Sequence, residues 1–335
     1  MKLRILADDL TGALDSAAAF AGEVPVFLDA PGPGDDDISA VATATRDVAP
    51  RDLASMLAPS IDWLRGADLA FKKVDSLLRG NTFIECAHLG RAFTRIVFAP
   101  AFPTQGRLTN KGRAWVVQPG SSVSSPIGER SIVEVFAGLD AQEVWVPDVR
   151  TDTDLLAVAA LSLQASSHGW LWCGSAGLAQ AMAAVHGVAA QAEPIAPSPP
   201  PLMLVSASHH AVVRRQWVRL HAEMLSSPAL ALFDLSPAER LSAAQAATLL
   251  ARQVEAIATR EPRPATLIVV GGDTLRALCC ATGASSLRAQ ASPRAGWGRA
   301  RLVGGQWDGV LVHSRSGAFG ADDDLLEVIR TVTPS

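Results

Sequence analysis

Short apolar runs alternate with longer stretches of helical period along most of the chain. "KLRILA" (2–7) and "VPVFLD" (24–29) have the length and continuity of buried strands. Between them, "LTGALDSAAAFAG" (10–22) sets Leu10, Leu14, Ala17, Ala18 and Ala21 on one helical face. "ISAVATA", "DLAFKKV" (68–74), "RIVFAPA" (95–101), "EVWVPDV" (143–149) and "GWLWCG" (169–174) predict further strands, and "DTDLLAVAALSLQAS" (152–166) a helix. The alternation resumes later with "LMLVSAS" (202–208), a helix over 211–225, "LALFDL" (230–235), a helix over 237–259, "ATLIVVGG" (265–272) and a helix from Thr274. "GVLVHSRSGAFG" (309–320) and "ADDDLLEVIRTV" close the series as a strand with its loop and a last helix. Strand–helix alternation of this kind predicts an α/β protein with mainly parallel sheets covered on both faces.

The pattern breaks once. "AEPIAPSPPP" (192–201) holds five prolines in ten residues and supports neither helix nor central strand. It reads as a linker between a domain of residues 1–191 and a second of 202–335, with the active cleft expected between them. A length of 335 residues fits two domains better than one. A hydrophobic fraction of 49% excludes a disordered chain, and a net charge of −4 gives no overall positive field for nucleic acid or anionic lipid. Cys86, Cys173, Cys279 and Cys280 show no metal-ligand spacing, and the adjacent pair argues for reduced thiols. Asp8 and Asp9 interrupt the first apolar run too early for a signal peptide, and the low-charge stretch 169–192 reads as buried helix rather than membrane span. A cytoplasmic location is expected.

Three stretches of the first half carry candidate chemistry. In "ADDLTGALD" (7–15) a strand ends in Asp8 and Asp9 as a helix begins, where open α/β sheets bind ligands. Helix capping accounts for one of these carboxylates, not both. "FKKVDSLLRGN" (71–81) places Lys72, Lys73, Asp75 and Arg79 before Gly80 and Asn81. That mixture suits a polyhydroxylated acid: an arginine takes a carboxylate bidentately, a lysine supplies a point charge, and an aspartate accepts from hydroxyls. A surface turn with an internal ion pair is the competing reading. Arg46, after "ISAVATA", is a further anion ligand or a solvated arginine. "APAFPTQGRLTNKG" (99–112), with Arg107 and Lys111, is either a substrate-covering loop or a long connection.

In the second half, "LIVVGGDT" (267–274), "SRSGAFG" (314–320) and "LVSASHH" (204–210) each run a strand into small residues before a helix. Glycine lets a phosphate approach, and a helix N-terminus offers free N–H donors. Three such turns in one domain suggest a nucleotide phosphate site, although the P-loop and dinucleotide fingerprints are both missing. Trp297, between Gly296 and Gly298, is a candidate for stacking on a base.

Together, "ADDLTGALD", "KKVDSLLRGN", "APAFPTQGRLTNKG", "GSAGLA", "VVGGDT" and "SRSGAFG" resemble, in order and placement, the four-carbon acid sugar kinase family, which includes threonate, erythronate and 3-oxo-tetronate kinases. The resemblance implies a sugar-acid-binding α/β domain followed by a nucleotide-binding one, with Mg2+ and ATP as cofactors and a terminal hydroxyl of a short sugar acid as acceptor. On matching positions it implies that Asp8, Asp9, Arg46, Lys73, Asp75 and Arg79 bind the acid, with Asp75 or Asp9 accepting or orienting the hydroxyl proton. It likewise implies that Ser208, Gly271, Gly272, Asp273, Thr274, Gly317 and Gly320 hold ATP. The partners are then a small sugar acid and ATP, with no nucleic acid and no membrane; a homo-oligomer stays open. Ser206-Ala207-Ser208-His209-His210 departs from the family's Ser-Gly-Ser-Cys-Ser, and Leu77 stands where a threonine is expected. Because the departures fall more on the ATP half than on the sugar half, a non-catalytic sugar-acid binder is the alternative.

Overall fold

The computed structural model describes all residues except 33, 35, 118–122, 140, 142, 165–167, 192–198, 224–229, 238, 240, 293, 295, 318–319 and 333–335. Most of the proline-rich linker therefore lies outside the described residues. The chain forms two compact units, Met1–Ala190 and Gln191–Ser335.

The first unit runs β1 (Leu3–Ala7), α1 (Leu10–Ala17), β2 (Val24–Leu28), β3 (Ile38–Ala42), α2 (Leu53–Arg65), β4 (Leu69–Lys73), α3 (Thr82–Gly90) and β5 (Arg95–Ala99). It continues with β6 (Arg107–Asn110), β7 (Arg113–Val117), β8 (Ser124–Pro126), α4 (Ile132–Ala137), β9 (Val144–Trp145), α5 (Asp152–Ala160), β10 (Trp170–Gly174) and α6 (Ala176–Val185). Its main sheet has the order β2-β3-β1-β4-β10-β5-β9, and every pair in it is parallel. The apolar runs become strands because both faces are covered: Leu6, Val41, Ile96, Phe98 and Leu171 are buried in one shared core. A cation sits even in β1, where Arg4 stacks on Trp63 and donates from Nη1 to the Asp36 carbonyl at 2.7 Å.

The second unit runs β11 (Leu202–Ser206), α7 (Ala211–Glu223), β12 (Leu230–Asp234), α8 (Ala243–Arg260), β13 (Thr266–Val270) and α9 (Gly272–Thr282). It ends with β14 (Ser286–Gln290), β15 (Gly298–Val303), β16 (Leu311–Arg315) and α10 (Asp324–Val332). Here β12-β11-β13-β16 are parallel, and β15 and β14 extend the sheet antiparallel. The antiparallel addition was not expected. "SLRAQ" and "GRARLV" do alternate inward apolar with outward polar residues, but their arginines mask the period. Both units are α/β with mainly parallel sheets, as the sequence pattern predicts. No helix among the described residues is long and apolar enough to cross a membrane.

Candidate functional site

In the first sheet, the connection from β1 runs past β3 to β2 on one side, whereas that from the adjacent β4 runs past β10 to β5 on the other. Loops diverge at such a switch point and leave a crevice beyond the strand ends. Asp8 and Asp9 follow β1, Arg46 follows β3, and Lys73 ends β4. Arg46 donates from Nε and Nη2 to both oxygens of Asp8, at 2.9 and 3.0 Å, and its Nη1 lies 2.6 Å from Asp9 Oδ2. Asp9 is also the N-cap of α1, accepting the Gly12 N–H at 2.7 Å. One aspartate caps, and both hold the guanidinium.

The turn after β4 is organised by Asp75. Its carboxylate accepts Nε and Nη2 of Arg79, each at 2.8 Å, and the backbone N–H groups of Arg79 and Leu77 at 3.1 and 3.3 Å. Gly80 closes the turn at φ +70, where a Cβ would lie 2.6 Å from the Arg46 carbonyl oxygen. Only glycine meets both conditions. Asn81 then clamps the turn to the β3 loop, donating from Nδ2 to the carbonyls of Thr45 and Val48 at 2.9 and 2.7 Å.

Lys72 and Lys73 are both buried. Lys72 pairs with Glu85 of α3, Nζ to Oε2 at 2.7 Å, with neither side chain more than 1% exposed. The Lys73 ammonium carries no ion pair or hydrogen bond among the described residues; its Nζ would lie 3.1 Å from a Cβ at Gly12, beneath the start of α1. Burial alone would raise the Asp8 carboxyl, but Lys72, Arg46 and Lys73 outweigh it and hold it below the usual carboxylate range. Burial likewise works against ionisation of Asp75, yet Arg79 and Arg46 bring it down to about 2. A carboxylate held there is a poor proton acceptor at neutral pH. Asp15, further along α1, is solvent-accessible, yet desolvation by the protein around it pushes it up to about 6, with Asp9 adding to the rise and Lys73 opposing it. Sequence reasoning missed Glu85 because its signal, an acid facing a strand lysine across a helix, is visible only in three dimensions.

In the second unit, the connection from β11 runs to β12 on one side, whereas that from the adjacent β13 runs past β16 to β14 on the other. The loops after β11, β13 and β16 carry Ser208, Gly271 to Thr274, and Gly317 with Gly320, so the expected nucleotide residues share one end of adjacent strands. Gly271 precedes α9 at φ +109, and the helix has no side-chain N-cap, leaving its first amides to another acceptor. A Cβ on Gly317 would collide with Ser208 Oγ. The glycines and the helix start make a cradle that fits a phosphate, bordered by Ser208 and Thr274, with Asp273 as the acid in the first turn of α9. Ala318 and Phe319 of that motif lie outside the described residues. Trp297 does not offer its ring to a base: it is 4% exposed, Arg315 lies over it at 5.1 Å, and its Nε1 donates to Asp324 at 3.1 Å.

Fold and ionic cluster together define an open-sheet α/β protein with a charged crevice at the strand ends. Residues 3–133 match the family described as the sugar-binding N-terminal domain. A D-threonate kinase of Bordetella bronchiseptica is 27% identical over an alignment covering 98% of this chain and 96% of that protein. A D-threonate kinase of Cupriavidus necator is 31% identical over 61% of this chain and 60% of its own length. A solved structure from Salmonella typhimurium LT2 shares the fold at TM-score 0.75 and 18% identity, covering 98% of this chain and 99% of that one. One from Haemophilus influenzae does so at TM-score 0.71 and 15% identity, covering 98% and 100%. These similarities support the four-carbon acid sugar kinase family for this chain.

Proposed function

We propose that this protein transfers the γ-phosphoryl group of MgATP to a terminal hydroxyl of a four-carbon sugar acid, with D-threonate the first substrate to test. The observation that carries the reading is the strand-end cluster of Asp8, Asp9, Arg46, Lys73, Asp75 and Arg79, in a chain aligned over 98% of its length with a D-threonate kinase. Paired carboxylates and guanidinium groups are preorganised donors and acceptors for a polyol acid. Ser208, Gly271 to Thr274, Gly317 and Gly320 would hold the nucleotide phosphates, and bound MgATP supplies the phosphoryl group. Mg2+ is assigned to phosphate oxygens, water and one or two carboxylates.

The chain's own residues then position the acceptor. Asp9 or Asp75 orients the attacking hydroxyl, and Lys73 adds a point charge beside it. Phosphoryl transfer through a loose transition state depends on positioning and charge stabilisation more than on a strong base, so a weakly basic carboxylate suffices.

One feature favours a second reading, a non-catalytic acid binder. Ala207 replaces the family's glycine beside Ser208, whose Oγ already accepts the His210 N–H at 3.3 Å. Calorimetric titration with MgATP and with D-threonate separates the two. Saturable binding of both supports the kinase; acid binding without nucleotide binding supports the binder; binding of neither refutes both.

A further inference from the structure

Each guanidinium of the crevice is committed to a carboxylate, with one exception. Arg46 holds Asp8 and Asp9, and Arg79 holds Asp75. Arg107, the first residue of β6, is half-buried and forms no ion pair among the described residues. Among the described residues, its Nη1 donates to the Gln105 carbonyl and its Nε is buried with no acceptor. An unsatisfied N–H on a charged group is costly to bury, so such a group is a site awaiting an acceptor.

The backbone fixes where Arg107 stands. Phe102 and Arg107 exchange N–H···O bonds at 2.8 and 3.1 Å, which folds residues 102–107 back over the end of β5. Ser175, after β10, donates from Oγ to the Ala101 carbonyl at 2.7 Å and ties that loop to the neighbouring strand end. Thr109 and Val149 exchange bonds at 2.8 and 2.9 Å and pin the far side of the hairpin. Only β10 separates β5 from β4, a gap of about 10 Å that a long arginine side chain largely spans. Desolvation lowers the Arg107 pKa, and its charge interacts with both Asp75 and Arg79. The stretch 99–112 thus holds a hairpin, pinned at Phe102 and Thr109, whose Arg107 is electrostatically coupled to the Asp75–Arg79 pair.

We propose that Arg107 is the group that takes the substrate's carboxylate, through the guanidinium edge that includes its orphaned Nε. This rests on the sugar-acid reading above and deepens it: it assigns the hydroxyls to the aspartates and the acid end to the hairpin. Lys73, a further crevice cation with no ion pair among the described residues, is a point charge beneath α1 and lacks the two-pronged geometry that matches a carboxylate.

The test compares D-threonate affinity in the wild type, Arg107→Met, Arg107→Lys and Lys73→Met, with MgATP titrated into the same samples and folding checked by thermal melting. Arg107→Met should weaken D-threonate binding roughly ten- to hundredfold while MgATP affinity stays within about twofold. Arg107→Lys, which keeps the charge but not the fork, should recover only part of the loss. Acid affinity within twofold of wild type in a folded Arg107→Met variant overturns the proposal, as does a larger loss in Lys73→Met. A wild type that binds neither D-threonate nor any other four-carbon acid refutes the sugar-acid reading itself, a result distinct from either.

Discussion

Glu85→Ala isolates the electrostatic foundation of the crevice. The substitution leaves Lys72, 1% exposed, without its 2.7 Å partner. Breaking a buried pair from one side costs about 3–5 kcal/mol, because the remaining charge keeps its desolvation penalty. Two features narrow that range. Asp8 also acts on Lys72 and recovers part of the cost. The lysine can instead fold neutral, which at pH 7 costs at most about 4.6 kcal/mol, from 3.4 units below its ordinary pKa at 1.36 kcal/mol each. We expect a loss of about 3–4 kcal/mol, a large share of a typical domain's 5–15 kcal/mol. The sign of the pH dependence follows. In the variant the folded-state pKa of Lys72 falls below its unfolded value, so the deficit is full near neutrality and shrinks as pH rises towards 10. Urea denaturation of wild type, Glu85→Ala and the double variant Lys72→Met/Glu85→Leu provides the assay, since well-packed apolar replacements of a buried pair are neutral or stabilising. A loss below about 1 kcal/mol in Glu85→Ala, or a double variant no more stable than the single one, would refute this account of the pair.

Arg79→Ala should weaken acid binding by roughly 1.5–3 kcal/mol through release of Asp75, with MgATP affinity unchanged by calorimetry; equal loss for both ligands counts against the assignment. Gly271→Val places a side chain at φ +109 and should abolish MgATP binding while D-threonate still binds; a destabilised variant with normal nucleotide affinity would make this only a tight turn. Asp75, held down to about 2, contributes stability that is present above its unfolded pKa and lost as pH falls through about 2. Acid unfolding of Asp75→Asn should therefore show a shallower dependence between about pH 4 and 2 than wild type. Asp15, pushed up to about 6, acts oppositely: its ionisation weakens the fold as pH rises from about 4 to 6, and Asp15→Asn should remove that decline from the stability curve.

The parallel sheets were legible because buried strands are written as continuous apolar runs. Asp8, Asp9, Arg46, Lys73, Asp75 and Arg79 were legible for a related reason: each follows or ends such a run, and parallel topology gathers strand ends on one side. What the sequence hid was pairing. Nothing in "FKKVDSLLRGN" tells that Lys72 faces Glu85 while Lys73 faces none, or that Asp75 and Arg79 bind each other. Trp297 misled for a similar reason. Flanking glycines suggest an open ring, but the indole is sealed between Arg315 and Asp324. β14 and β15 escaped because outward arginines interrupt their apolar alternation, and β6–β8 because a hairpin pinned at Phe102 and Thr109 reads in one dimension as polar loop.

The central claim is phosphoryl transfer to a sugar acid, and direct product analysis tests it most plainly. The protein would be incubated with MgATP and each four-carbon acid in turn, following ADP release and the phosphorus resonance of the product. The account predicts ADP and a phosphomonoester of the acid in equal amounts, both dependent on Mg2+ and on the acid, with D-threonate among the acceptors. Acid binding without ADP release across the whole panel would contradict it and leave the crevice as a binding site alone.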